Sequence, residues 1–154
     1  HDLDEAMRLG DRIAVLVDGR FVQTDTPERI YEMPQSAFLA EALSDVFVLA
    51  GQVKEHGKIK TSIGVVSVDT KGLDIATGKL VKLGFRDRDV SLDPKGSTCI
   101  VEDIRFVLGN YLVLIKSIDT GELLRVKANK FHGMSVGQLA SIKFATTKPY
   151  IYHN

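Results

Sequence analysis

The chain changes its hydrophobic period part of the way along. Near the start, apolar residues recur three to four positions apart. Leu3, Ala6 and Met7 share one face of an expected helix that Asp2 can cap and that Gly10 ends through a left-handed conformation. Arg12 to Val17 is then a β-branched run, Asp18-Gly19 is a hairpin turn signal, and Arg20 to Thr24 is the return strand. Thr26 with Pro27 opens a second helix, and Ser36 opens a third over Ala37 to Leu43. The apolar stretch Phe47 to Ala50 leads into Gly51, and beyond it the period becomes two. A domain boundary is therefore expected at 45–50, giving segments 1–45 and 46–154.

From Val53 onward the pattern predicts short strands between Gly, Pro and Asp turns. Lys58 to Val68 is broken at Gly64. Lys79 to Arg86 places Val81, Leu83 and Phe85 on one face, and Pro94 to Ser97 turns the chain. Ile100 to Leu108 and Tyr111 to Ile118 flank Gly109-Asn110, read as a two-residue hairpin loop. Tyr111 to Ile115 is apolar at five successive positions, which predicts a strand covered on both faces. Leu124, Val126 and Ala128 alternate with Arg125 and Lys127, Ala140, Ile142 and Phe144 alternate with Ser141 and Lys143, and Tyr150 to Tyr152 closes the chain. Seven or more short strands with turns at short intervals predict a mainly β fold, a barrel or sandwich of OB-like type behind a short α/β segment. Phe85, Phe106 and Phe144 are expected in its core.

Composition narrows the function classes. Lys plus Arg (20) balances Asp plus Glu (20), aromatics are 7% and Trp is absent. A neutral chain poor in aromatics offers neither the charge nor the stacking platforms that nucleic acid requires, so no nucleic-acid partner is expected. The single cysteine, Cys99, excludes an intrachain disulfide and is expected as a buried thiol. His56, His132 and His153 are scattered without metal-ligand spacing, so no metal site is expected. Arg86-Asp87-Arg88-Asp89 reads as a solvated, salt-bridged turn.

The ordered set His1-Asp2-Leu3-Asp4-Glu5-Ala6, Asp11-Arg12-Ile13, Asp18-Gly19-Arg20, Thr26-Pro27-Glu28, Ile30-Tyr31 and Pro34 resembles the end of an ABC-transporter ATP-binding subunit, of the importer type that carries an extra C-terminal β domain. Leu83-Gly84-Phe85-Arg86 followed by Asp89-Val90 is similar to a segment of that domain, with Asp87-Arg88 where the family has Pro-Glu. The resemblance implies that 1–45 is the C-terminal end of a nucleotide-binding domain and 46–154 an OB-like regulatory domain. It implies that His1 is the switch histidine contacting the ATP γ-phosphate. It also implies ATP and Mg²⁺ as cofactors of the full subunit, a homodimer docked on membrane permease subunits, and a cytoplasmic place on the inner face of the membrane. Starting at His1, the chain reads as a cut through a longer protein.

The chemistry of hydrolysis is missing from the sequence itself. Gly72 to Leu80 has five residues between its glycines instead of four, and Leu80 where a hydroxyl should bind Mg²⁺. No signature loop follows, so the fragment alone is expected neither to bind nor to hydrolyse ATP. Two other readings stand beside the energy-coupling one. In the first, the β domain is a small-ligand sensor, for an anion or solute, that inhibits the transporter. In the second, the chain is an unrelated β interaction module. Ile13, Val15 and Leu16 would lack cover in a monomer, which predicts a dimer, with exchange of elements left open.

Overall fold

A computed structural model describes residues 3–43, 45–69, 75–128 and 133–153, the side chain of Asp4 excepted. The chain divides into two compact units, His1–Val46 and Phe47–Asn154.

The first unit runs α1 (Leu3–Leu9), β1 (Ile13–Val17), β2 (Arg20–Asp25), α2 (Pro27–Glu32) and α3 (Ala37–Ala42). Its caps follow from side chains that can accept from free N–H groups. Arg29 N donates to Thr26 Oγ1 at 3.4 Å ahead of Pro27, and Leu39 N donates to Ser36 Oγ at 3.2 Å. Asp18 and Gly19 take φ of 49° and 75°, the pair of positive values that a tight two-residue hairpin turn needs. Gly10 departs from expectation, because its φ is not in the left-handed region. Glycine is needed there for room: a Cβ would stand 3.1 Å from the Ala6 carbonyl oxygen and 3.3 Å from that of Arg12. The core is small, with Ile13, Ile30 and Leu39 buried and Leu3, Ala6, Met7 and Val15 packed against them. Gln23, buried on β2, donates to Met33 O at 3.2 Å and accepts from Gln35 N at 3.1 Å, which ties the sheet to the α2–α3 link.

The second unit is mainly β. Its strands are β3 (Val46–Val53), β4 (Lys58–Thr61), β5 (Gly64–Ser67), β6 (Leu80–Arg86), β7 (Val90–Asp93), β8 (Cys99–Val107), β9 (Asn110–Ser117), β10 (Leu123–Ala128), β11 (Leu139–Phe144) and β12 (Tyr150–His153). One five-stranded sheet has the order β12-β6-β3-β4-β5 and the other β10-β9-β8-β11-β7. Alternation puts Leu49, Ile59, Val81, Leu83 and Phe85 of the first sheet into one core with Val101, Val113, Ile115, Val126 and Ala140 of the second. Phe85 stacks on Phe144 with centroids 3.9 Å apart. The stretch Phe47 to Ala50 is not a lead-in but the body of β3. Gly51 lets that strand meet β4, since a Cβ there would lie 3.0 Å from Lys60 O.

Three further expectations are corrected in the β8–β9 hairpin. Its two-residue loop is Leu108-Gly109, not Gly109-Asn110: Val107 pairs with Asn110, and Leu108 and Gly109 take φ of 47° and 84°. Phe106 is 65% exposed and outside the core, because it lies near the end of β8, where the Tyr111 ring is tilted against it with centroids 5.1 Å apart. Strand β9 is covered on one face only. Val113 and Ile115 point inward, and Leu112 is exposed on the other side.

Candidate functional site

In the first unit, β1, α1 and α3 leave a cleft of about 430 Å³ lined by Leu3, Ile13, Val15, Leu16, Phe38 and Leu39, among others. Leu16 and Phe38 are more than half exposed. The side chains of this lining carry no donor, acceptor or charge with which to act on a substrate, as in a surface shaped to be covered. His1, the residue expected at the γ-phosphate, lies outside the described residues. His132 and the first three residues of Gly72 to Leu80 lie outside them as well.

In the second unit, three turns meet around a polar cleft of about 420 Å³ lined by Ser62, Gly64, Ser97, Thr98, Ile118 and Asp119, with Ile63. The turns are tied to one another. Thr61 Oγ1 donates to Gly64 O at 2.8 Å, Ile118 N donates to Thr98 O at 3.0 Å, and Ser117 Oγ donates to the carbonyl of Ser62. Ser141 Oγ accepts from Ser97 N at 3.0 Å and from Thr98 Oγ1 at 3.0 Å, and Gly96 has no room for a Cβ against that serine. Ser62 Oγ is buried and finds no hydrogen-bond partner among the described residues. The cleft offers hydroxyls and one carboxylate.

The third feature is the cluster around Arg86. The sequence suggested a solvated turn at Arg86-Asp87-Arg88-Asp89, but only Arg88 is exposed. Arg86, at the end of β6, is 5% exposed; its Nε donates to the Tyr150 hydroxyl at 3.2 Å, and its guanidinium lies 5.3 Å from the centre of the Tyr150 ring. Asp87 faces Lys127 Nζ at 3.6 Å. Tyr152, buried beside them, has its phenol pKa raised by burial and by Tyr150, with partial relief from Arg86. The burial has a topological cause: β12 pairs with β6, Tyr150 opposite Gly84 and Tyr152 opposite Lys82, so the end of the chain closes over the end of β6. Both segments were visible in the sequence, but their contact spans 64 positions and leaves no local signal.

Cys99 is fully buried, its Sγ 3.2 Å from Ala140 O, and burial pushes its pKa up. It is a core thiol, as expected. His56 sits exposed in a turn at φ 58°, and His153 is exposed at the end of β12. Among the described residues no cluster of His, Cys, Asp or Glu could hold a metal ion, and no helix is long and apolar enough to cross a membrane.

No family model matches the chain. Curated proteins do. The chain is 33% identical over 144 residues to the spermidine/putrescine import ATP-binding protein PotA of Aliivibrio fischeri, covering 85% of the chain and 37% of that protein. It is 33% identical over 122 residues to the Fe(3+) ions import ATP-binding protein FbpC 2 of Rhodococcus jostii, covering 79% and 34%. It is 28% identical over 142 residues to the sulfate/thiosulfate import ATP-binding protein CysA of Rhodopseudomonas palustris, covering 89% and 40%. The chain thus spans little more than a third of the length of these relatives. Among solved structures, the cytoplasmic molybdate-binding protein ModG aligns with a TM-score of 0.52 at 18% identity, covering 71% of the chain and 95% of that protein. That likeness supports an OB-like fold for the β unit. The chain belongs to the family of ABC-importer ATP-binding subunits, of which it holds a segment with an OB-like β domain.

Proposed function

We propose that the chain is the C-terminal portion of the ATP-binding subunit of a solute importer, with 1–45 the end of the nucleotide-binding domain and 46–154 a regulatory domain. The observation that carries this reading is the match over 85% of the chain to an importer ATP-binding protein of which it covers 37%. The apolar cleft of the first unit supports it, since Leu16 and Phe38 are placed as residues at the boundary of a larger domain core. In the full subunit His1 contacts the γ-phosphate of ATP, whose Mg²⁺ and phosphate loop are held upstream. The subunit works as a dimer on permease subunits, at the cytoplasmic face of the membrane. An anion-sensing role for the β domain is less well supported, because the lining of the polar cleft includes the carboxylate of Asp119 and neither Lys nor Arg.

Calorimetry tests the division of labour. The 154-residue chain should show no ATP binding, while the full subunit should bind ATP and hydrolyse it. In the full subunit, His1→Ala should cut turnover by about 10²-fold or more while nucleotide binding persists, the signature of a transition-state contact. Micromolar ATP affinity in the short chain, or full turnover in the His1→Ala subunit, would overturn the reading.

A further inference from the structure

Strand β9 poses a question that the importer reading leaves unanswered. Its side chains alternate across the sheet, so Val113 and Ile115 enter the core and Leu112 and Leu114 stand on the opposite face. A solvated sheet face normally carries polar residues at such positions. Here two leucines stand on the outer face of β9, Leu112 39% exposed and Leu114 partly so. They form the floor of a groove of about 310 Å³.

The register defines the walls. Leu114 lies opposite Asp103 of β8 and Arg125 of β10, and Leu112 opposite Arg105 and Lys127. The next residue outward on β9 is Lys116. Four cations therefore surround the leucines, against Asp103 and the exposed Glu102 of the β8 bulge. Asp103 is already engaged: Arg105 Nε is 2.7 Å from Asp103 Oδ2, which holds the Asp103 pKa below its ordinary value. Lys127 is engaged by Asp87 at 3.6 Å. Lys116 and Arg125 are exposed and make no ion pair among the described residues. The groove is apolar at its floor and has a net positive rim, with Lys116 and Arg125 against Glu102.

We infer that the outer face of β8–β9–β10 is a docking surface for a partner protein segment that presents apolar side chains flanked by carboxylates. The apolar side chains cover Leu112 and Leu114, and the carboxylates reach Arg125 and Lys116. Burial of leucines supplies the affinity, and the cationic rim selects the partner and sets its register. A second copy fits this face poorly. Face-to-face packing about a two-fold axis along β9 sets Lys116 on Lys116 and Arg105 on Lys127; it also sets Asp103 on Arg125, but Asp103 is already held by Arg105, and the like charges placed opposite oppose association. A bilayer fits it poorly too, because the leucines lie between longer charged side chains instead of protruding past them. The inference rests on the β unit alone and does not depend on the importer assignment.

The test uses the whole chain and three short synthetic peptides: alternating glutamate and leucine, alternating glutamate and serine, and alternating lysine and leucine. Amide shifts in ¹H–¹⁵N spectra report the site and the affinity. The glutamate–leucine peptide should bind with shifts centred on Leu112 to Lys116 and on Arg125, and each of the other two should bind about tenfold more weakly or not at all. Arg125→Glu with Lys116→Glu should lose about tenfold for the acidic peptide and gain the lysine–leucine peptide. Both positions are exposed, and an unchanged thermal midpoint establishes that the variant is folded. Leu114→Ser should weaken the acidic peptide without changing its charge preference. Equal binding of acidic and basic peptides, or absence of any shift up to the solubility limit, overturns the inference. So does co-sedimentation with phosphatidylserine vesicles that the charge-reversed variant loses, which would make the partner a membrane. A dimer by light scattering that Leu114→Ser dissolves would make the partner a second copy and overturn it equally.

Discussion

Arg86 is a charge that the fold takes out of water, and the surroundings must repay its hydration. Its Nε reaches the Tyr150 hydroxyl at 3.2 Å, and the Tyr150 ring lies 5.3 Å from the guanidinium. Planarity matters to both contacts, since one needs an N–H in the plane of the fork and the other benefits from a flat cation over a ring. Arg86→Ala is expected to cost about 2–4 kcal/mol, the range for breaking a buried polar network. Arg86→Lys should recover less than half of that, because an ammonium has no second planar donor. Urea unfolding of the two variants measures both. A lysine variant as stable as the parent would show that charge alone is what the site requires. The same cluster shows where the sequence falls silent. Gly84-Phe85-Arg86 and Tyr150-Ile151-Tyr152 are each readable as strand residues, yet nothing near either one announces that they meet. An arginine followed by Asp-Arg-Asp looks like a surface turn until β12 is laid beside β6.

At the scale of elements, local chemistry was the more legible part. Thr26-Pro27, Ser36 and Asp18-Gly19 act within four residues, and each does what its side chain dictates. The β8–β9 hairpin was legible as a hairpin but not in its register. Gly109-Asn110 is the pair that local preference favours, and the observed loop is Leu108-Gly109. The core decides between them. Because Tyr111 to Ile115 is apolar throughout, the sequence does not say which face is inward, and only pairing of Val113 with Ile104 and of Ile115 with Val101 does so. The fold then tolerates leucine at φ 47°, a value that Asn adopts with less strain, and leaves it 95% exposed. Leu108→Asn should therefore stabilise the chain by about 0.5–1 kcal/mol, the scale of a left-handed penalty removed. Thermal and urea unfolding measure the change. A loss of stability would mean that the Leu108 side chain makes a contact worth more than its backbone strain.

The two compact units differ in how much they bury, and that difference governs how the chain comes apart. The β unit encloses a continuous core from Phe47 to Phe144 across two five-stranded sheets. The first unit has Ile13, Ile30 and Leu39 fully inside and an apolar cleft open beside them. Stability scales with buried apolar area, at roughly 25 cal/mol per Å², and a core this small is near the limit of what offsets chain entropy. Unfolding of the chain should therefore be two-step. In native-state hydrogen exchange with rising denaturant, the amides of β1 and β2 should open first, through a subglobal event that leaves β8 and β9 protected. Extending the chain upstream, as in the proposed full subunit, should cover Leu16 and Phe38 and raise the protection of β1 while leaving β9 unchanged. One cooperative transition with equal protection in both units would contradict the difference in their cores. An upstream extension that leaves β1 as exposed as before would contradict the assignment of 1–45 to the edge of a larger domain. The two failures are separable, because the first concerns packing within the chain and the second concerns what lies against it.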